Sequence, residues 1–151
     1  MSAYLVEGGV PLYGEARVHG AKNSVLPILA AAILCPGTSV IRNCPDLSDV
    51  RAPMAILEHL GCGVRREGDT VEVDAGPLLH NDVPDELMRE MRSSVIFLGA
   101  ILARTGEAVL SMPGGCELGP RPIDLHLAAI RALGAEVREE GGGLRCSVPG
   151  R

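Results

Sequence analysis

The chain has 151 residues and a formal net charge of −5 at pH 7; 46% of its residues are hydrophobic and only 2% are aromatic. This composition is typical of one ordinary soluble domain with an aliphatic core, and the negative charge argues against nucleic acid or an anionic membrane as the main partner. The longest apolar run, residues 25–34, contains Pro27 and is roughly half as long as a bilayer span, and no positive-then-apolar leader opens the chain.

The cysteines are odd in number and include no C-x-x-C pair. This pattern argues against a disulfide framework and a cysteine zinc site, and it fits a reducing cytoplasm. Most of the cysteines are predicted to be small buried hydrophobic residues, namely Cys35, Cys44, Cys62 and Cys146.

Two short extended pieces, a helix and a strand are predicted first. The extended pieces are residues 4–6 and 15–19. A helix over 24–34 follows, with Asn23 or Ser24 as its N-cap, and because it is apolar on every side we expect it to be buried all round. Residues 38–42 form a strand.

A second helix begins within Asp46-Leu47-Ser48-Asp49, whose polar residues we interpret as helix caps, and it runs to about Leu60. Val50, Met54, Leu57 and Leu60 recur at helical spacing on its apolar face. The alternating residues 64–67 and 70–74 predict a hairpin that turns at Gly68-Asp69.

The same pattern then starts again. Residues 23–37 align with residues 92–106 at a constant offset of 69, and the strands that follow keep this offset. After these strands the offset between the two copies becomes 73, because Leu60-Gly61 matches Leu133-Gly134. The chain is therefore interpreted as two copies of a strand–helix–strand–helix–hairpin unit that bury their faces against each other.

The extra residues of the second copy fall in the loop 113–122. Glycines and prolines exclude regular structure there. The loop carries Cys116 and Arg121 and ends at the start of a helix. A thiol, a guanidinium and free amide groups are therefore expected to face one small volume that suits an anion. A plain surface extension of the loop is the alternative.

These residues resemble one family, the UDP-N-acetylglucosamine enolpyruvyl transferases, which begin peptidoglycan synthesis. The resemblance spans nearly the whole chain, in order, and its loop motif is highly specific. It rests on the segments Gly20-Ala21-Lys22-Asn23, Met91-Arg92-Ser93-Ser94, Pro113-Gly114-Gly115-Cys116, Gly119-Pro120-Arg121-Pro122-Ile123-Asp124-Leu125-His126 and Leu133-Gly134-Ala135.

The resemblance implies an α/β fold, an inverse α/β barrel of βαβαββ units, with two units present of the family's three per domain. Residues 1–21 would be strands that belong with the second domain. Residues 22–151 would be an incomplete catalytic-loop domain with repeats at about 22–76 and 77–149. Because family members are more than twice as long, the chain resembles an N-terminal piece. Its expected partners are the missing C-terminal part, which carries the family's general base, or a second copy of itself.

The implied reaction transfers the enolpyruvyl group of phosphoenolpyruvate to the 3′-hydroxyl of UDP-N-acetylglucosamine, in the cytoplasm, and releases phosphate. It is expected to need no metal and no organic cofactor. Cys116 matches the family's proton donor, which is also the target of the drug fosfomycin. A neighbouring cation can lower the pKa of such a thiol from its usual value of about 8.5.

Two sets of binding residues follow from the same resemblance. Lys22, Asn23 and Arg121 match the residues that bind phosphoenolpyruvate, and Lys22 is the only lysine of the chain. The residues that match the sugar-nucleotide site are Arg92, Arg121, Pro122, Ile123, Asp124 and Leu125. The alternatives are a solvated lysine beside a helix cap for Lys22, a structural salt bridge for Arg92, and a carboxylate stabilised by the helix dipole for Asp124.

Two other functions stay open. One is a non-catalytic repeat module that binds anions or nucleotides weakly. The other is 3-phosphoshikimate 1-carboxyvinyltransferase, which shares the repeat fold but lacks this cysteine loop.

Overall fold

The computed structural model describes residues 3–91, 93–111 and 122–150. Arg92, Cys116 and Arg121 lie outside these residues. The helices are α1 (Lys22–Ala31, continued by the 3₁₀ turn Ala32–Leu34), α2 (Ser48–His59), α3 (Asp85–Glu90), α4 (Ile96–Thr105) and α5 (Asp124–Ala132). The strands are β1 (Gly37–Ile41), β2 (Gly63–Glu67), β3 (Thr70–Ala75), β4 (Asp82–Val83), β5 (Glu107–Ser111), β6 (Glu136–Glu140) and β7 (Gly143–Ser147).

The strands form two sheets of the same design. The first has the order β1-β3-β2 and the second has the order β4-β5-β7-β6, with β4 parallel to β5 and all other pairs antiparallel. Each unit therefore places its last strand between the two before it. The α/β repeat predicted from the sequence is confirmed.

The pairing registers confirm both offsets of the repeat. Ile41 pairs with Val71 in the first sheet, and the equivalent Leu110 pairs with Leu144 in the second. In the hairpins, the pair Val64 and Val73 is matched by Val137 and Cys146. The insertion therefore lies between β5 and α5 of the second unit, in agreement with the sequence alignment.

The core lies where α1 and α4 pack against each other. Leu29, Phe97, Leu98 and Ile101 are fully buried there, and α4 is buried more completely than α1. The prediction that the first helix is buried all round is wrong, because Ile28 is 49% exposed on a face of α1 that no described element covers.

Several local predictions differ from the structure. The residue before α1 is Ala21 and the residue before α2 is Leu47, and neither helix has a side-chain cap hydrogen bond. The polar residues interpreted as caps lie inside the helices or before them instead. Residues 3–21 form no strand, and their apolar side chains, such as Tyr4 and Leu12, are almost fully exposed. The short elements β4 and α3 were not predicted.

Three of the four cysteines expected to be buried are buried, at Cys44, Cys62 and Cys146. Cys35 is exposed, so that prediction is wrong. It lies just after the 3₁₀ turn, in the link to β1, where its side chain leaves the core. Among the described residues, no helix has the length and apolar character that a membrane crossing requires.

Candidate active-site cleft at two helix heads

The start of α1 and the segment that links α3 to α4 line one cleft of about 600 Å³. The repeat explains this meeting, because Lys22 and Met91 occupy equivalent positions of the two units, as do Ser24 and Ser93. The described lining residues are Lys22, Asn23, Leu26, Asp49, Arg89, Glu90, Met91 and Ser93. Of the predicted site residues, the structure brings Lys22 and Asn23 into this cleft.

Gly20 sets the position of Lys22. A Cβ atom on Gly20 would lie 1.9 Å from the carbonyl oxygen of Asn43, so the two backbones approach more closely than any other residue type would allow. Asn43 itself has a positive φ of 57°, which asparagine tolerates. This contact joins the start of α1 to the loop that leads into α2, and so brings their first turns together.

Lys22 forms an ion pair with Asp49, at 2.5 Å between Nζ and Oδ2. Each side chain is nearly half exposed, so the pair is worth little as a stability contact. The pair holds the ammonium group at the cleft. It also shows that Asp49 is a partner of Lys22 and not a helix cap.

Among the described residues, the charges of the cleft balance. Lys22 and Arg89 are cationic, Asp49 and Glu90 are anionic, and Arg89 also pairs with Asp85 at 2.6 Å on α3. An anionic ligand would therefore compete with carboxylates for these cations. Strong anion binding needs additional cations, and the sequence supplies two candidates in Arg92 and Arg121.

The chain on both sides of Arg92 is well anchored. Met91 is buried, and Ser94 is fully buried with its hydroxyl donating to the carbonyl of Met88 at 3.4 Å. Met91 and Ser93 both line the cleft. The role predicted for Arg92 stays a prediction.

The predicted nucleotide-binding segment lies at the start of α5. Pro122, Asp124 and Leu125 are exposed and Ile123 is half-buried, and none of the four is among the described residues that line the cleft. Asp124 is in the first turn of α5 and no side chain caps this helix. Nucleotide binding and stabilisation by the helix dipole therefore both remain open for Asp124.

Burial raises the pKa of the thiols of Cys44, Cys62 and Cys146, although a nearby arginine opposes the rise in each case. These thiols are protected and protonated at neutral pH, so they are poor nucleophiles. The prediction for Cys116 concerns the opposite situation, a thiol beside cations.

Sequence reasoning missed three residues of the cleft, Asp49, Arg89 and Glu90. Asp49 was noticed, but its partner Lys22 lies far away in the sequence and no local spacing connects them. Arg89 and Glu90 precede Met91-Arg92-Ser93-Ser94 directly, so proximity to that motif was the one available signal.

Comparisons with known proteins agree with this architecture. A protein named UDP-N-acetylglucosamine 1-carboxyvinyltransferase 2 from Caldanaerobacter subterraneus is 53% identical over 97% of this chain and 35% of its own length. One named UDP-N-acetylglucosamine 1-carboxyvinyltransferase from Anaeromyxobacter dehalogenans is 51% identical over 99% of this chain and 36% of its own length. The chain thus spans about a third of the length of the curated relatives it matches.

Two solved structures resemble the fold. The enolpyruvyl transferase NikO from Streptomyces tendae matches with a TM-score of 0.78 at 26% identity, over 94% of this chain and 31% of that one. EPSP synthase from Acinetobacter baumannii matches with a TM-score of 0.63 at 16% identity, over 90% and 32% of the two chains, and supports the fold alone. Residues 6–150 match the family described as EPSP synthase (3-phosphoshikimate 1-carboxyvinyltransferase). The chain belongs to this family of enolpyruvyl transferases.

Proposed function

We propose that the protein transfers the enolpyruvyl group of phosphoenolpyruvate to the 3′-hydroxyl of UDP-N-acetylglucosamine, as a cytoplasmic step of peptidoglycan synthesis. The observation that carries the proposal is this cleft, which is lined by Lys22 and Asn23 from one unit together with Met91 and Ser93 from the other. The curated relatives with this enzyme name match the chain over nearly its whole length.

Phosphoenolpyruvate suits this cleft because it carries a carboxylate and a phosphate. Lys22 offers an ammonium group at the cleft, and the first amide groups of α1 lack a side-chain cap. Helix N-termini bind anions through such amides and the helix dipole. The cationic and anionic side chains that line the described cleft balance each other. In the proposal, Arg92 and Arg121 supply the additional positive charge that binds the substrate.

The reaction needs a nucleophile that attacks one carbon of the double bond and a proton donor that protonates the other carbon. The sugar hydroxyl attacks C2 of phosphoenolpyruvate and gives its proton to the general base expected in the C-terminal part, while the thiol of Cys116 protonates the methylene carbon C3. The C2–O bond to phosphate then breaks and C3 gives a proton back to a base of the site, which restores the double bond and releases phosphate. Cations around the phosphate stabilise the charge that develops on it.

The sugar nucleotide is assigned to the start of α5. Asp124 is exposed there, so its carboxylate is available to accept hydrogen bonds from a base or ribose. Pro122, Ile123 and Leu125 offer apolar surface beside it, since Leu125 is 81% exposed. This assignment rests on the resemblance and on the exposure of the segment.

The first experiment uses fosfomycin, which joins an electrophilic epoxide to an anionic phosphonate. Intact-mass analysis and peptide mapping of the 151-residue chain should find one adduct, on Cys116. The Cys35→Ser variant is the control for simple exposure, and it should label like the parent. Lys22→Ala should slow the adduct strongly, because the phosphonate loses its ammonium partner. Equal labelling of Cys35 and Cys116, or no effect of Lys22→Ala, would contradict the proposed site.

The second experiment tests the transfer itself. Phosphate release from phosphoenolpyruvate is measured with UDP-N-acetylglucosamine, with 3-phosphoshikimate and with neither. Release that depends on the sugar nucleotide supports the proposal. Release with 3-phosphoshikimate alone favours the related enzyme. A specific Cys116 adduct without any turnover identifies the chain as a binding module that lacks a group for catalysis.

A further inference from the structure

A second cluster of chemically active side chains lies at the opposite end of α2 from the cleft. It consists of His59 at the C-terminal end of α2, His80 in the link that follows β3, and Asp82 in β4. One potential ligand atom from each residue can be chosen so that all three lie within 4.8 Å of one another. We propose that these residues bind a divalent transition-metal ion, with Zn²⁺ as the representative ion.

The distances are close to those of a metal site. Zinc lies about 2.0–2.1 Å from histidine nitrogen and carboxylate oxygen in tetrahedral geometry, which separates two ligand atoms by about 3.3 Å. Nε2 of His59 and Oδ2 of Asp82 are already 3.3 Å apart. His80 alone must move closer, and its side chain is exposed and not packed in the core.

The arrangement of the two rings supports the same conclusion. His59 and His80 are stacked, with centroids 4.9 Å apart and planes inclined by 21°. The stack places the imidazole of His80 beside the pair of His59 and Asp82, so the three side chains lie together. A simple ion pair between His59 and Asp82 accounts for two of the residues but gives no role to His80.

The backbone on both sides of the cluster is fixed. The amide of Leu79 donates to the carbonyl of Leu60 at 3.0 Å, and the amide of Val109 donates to the carbonyl of Asn81 at 2.9 Å. These bonds hold His80 between the end of α2 and the second sheet. A site on rigid elements binds a metal with less loss of conformational entropy.

A bound ion would connect the two repeat units. His59 belongs to the first unit, whereas Asp82 pairs with Val109 in the second sheet. Two imidazoles and one carboxylate leave a fourth position for water, which is the ligand set that zinc accepts in sites open to solvent. The expected consequence is that the metal stabilises the contact between the two units, whether or not a ligand occupies the cleft at the start of α1.

The test is titration of the 151-residue chain with Zn²⁺ by calorimetry, and with Co²⁺ by visible absorption. We expect one ion per chain, tetrahedral Co²⁺ bands, and a melting temperature raised by roughly 5–10 °C at a metal concentration of about 100 times the dissociation constant. His80→Ala and Asp82→Asn should each weaken binding at least about tenfold.

His80→Ala is the decisive variant, because it removes an exposed ligand and leaves the pair of His59 and Asp82 intact. His19→Ala, an exposed histidine elsewhere in the chain, is the matched control and should bind like the parent. Cys35→Ser controls for binding by an exposed thiol and should also have no effect. Absence of saturable binding, unchanged affinity in His80→Ala, or loss of binding in Cys35→Ser would overturn the proposal.

Discussion

Two equivalent glycines of the repeat allow a matched test of how the end of α2 is packed. Gly61 ends α2 with a φ of +98°, and Gly134 ends α5 with a φ of +94°. A Cβ atom on Gly61 would lie 2.8 Å from Cγ, 3.1 Å from Cβ and 3.1 Å from the backbone nitrogen of Leu79, whereas a Cβ atom on Gly134 would meet nothing within 4 Å. Alanine at the two positions therefore has the same backbone strain but different steric consequences.

The magnitudes follow from these two terms. A residue other than glycine in the left-handed region costs about 1–2 kcal/mol. This is the whole expected loss of unfolding free energy for Gly134→Ala. Gly61→Ala adds overpacking of about 1–3 kcal/mol. Cγ of Leu79 can rotate away, but its backbone nitrogen cannot, since it is hydrogen-bonded to Leu60.

Urea unfolding followed by circular dichroism measures this difference. We expect Gly61→Ala to shift the midpoint to lower urea by more than Gly134→Ala does, with the same slope for both variants. Equal shifts would refute the steric argument, and a larger shift for Gly134→Ala would also refute the equivalence of the two helix ends.

Two further predictions concern the cleft and the buried thiols. Gly20→Ala should destabilise the chain and slow fosfomycin labelling of Cys116, because its Cβ would lie 1.9 Å from the carbonyl oxygen of Asn43; Gly99→Ala, where nothing lies within 4 Å, is the control and should label normally. Burial raises the pKa of the Cys146 thiol, so its stabilising contribution is fully present below about pH 8.5 and is lost as pH rises further, by at most about 1.4 kcal/mol per pH unit. Unfolding free energies measured from pH 7 to 10 should therefore fall less steeply in Cys146→Ala than in Cys35→Ala, and parallel curves would contradict this.

The repeat was predictable because periodicity and turn residues act locally. Val64 and Val137 lie at equivalent positions of two hairpins, and their pairing partners confirm the alignment made from sequence alone. Alternation and a glycine turn determine such a register, since a shift by one residue would expose the apolar face.

Burial and partners were less predictable because they depend on residues distant in sequence. Local apolarity could not reveal that one face of α1, which includes Ile28, has no described element against it. Similarly, Asp49 has the composition of a helix cap, but the fold places it beside Lys22. The stack of His59 on His80 arises from the path of the link between the two units, which no spacing rule encodes.

The position of the candidate active site follows from the repeat itself. Two units of the same design bring the start of α1 and the residues that precede α4 to one cleft, so equivalent positions of the repeat line it, and the dipole of α1 presents its positive end there. The first unit places Lys22-Asn23 there, and the second unit has Met91-Arg92 at the equivalent positions. The repeated backbone thus places equivalent residues of both units at one cleft, and the differences in side chains at these positions make the two sides of the cleft chemically distinct, as the proposed binding of phosphoenolpyruvate requires.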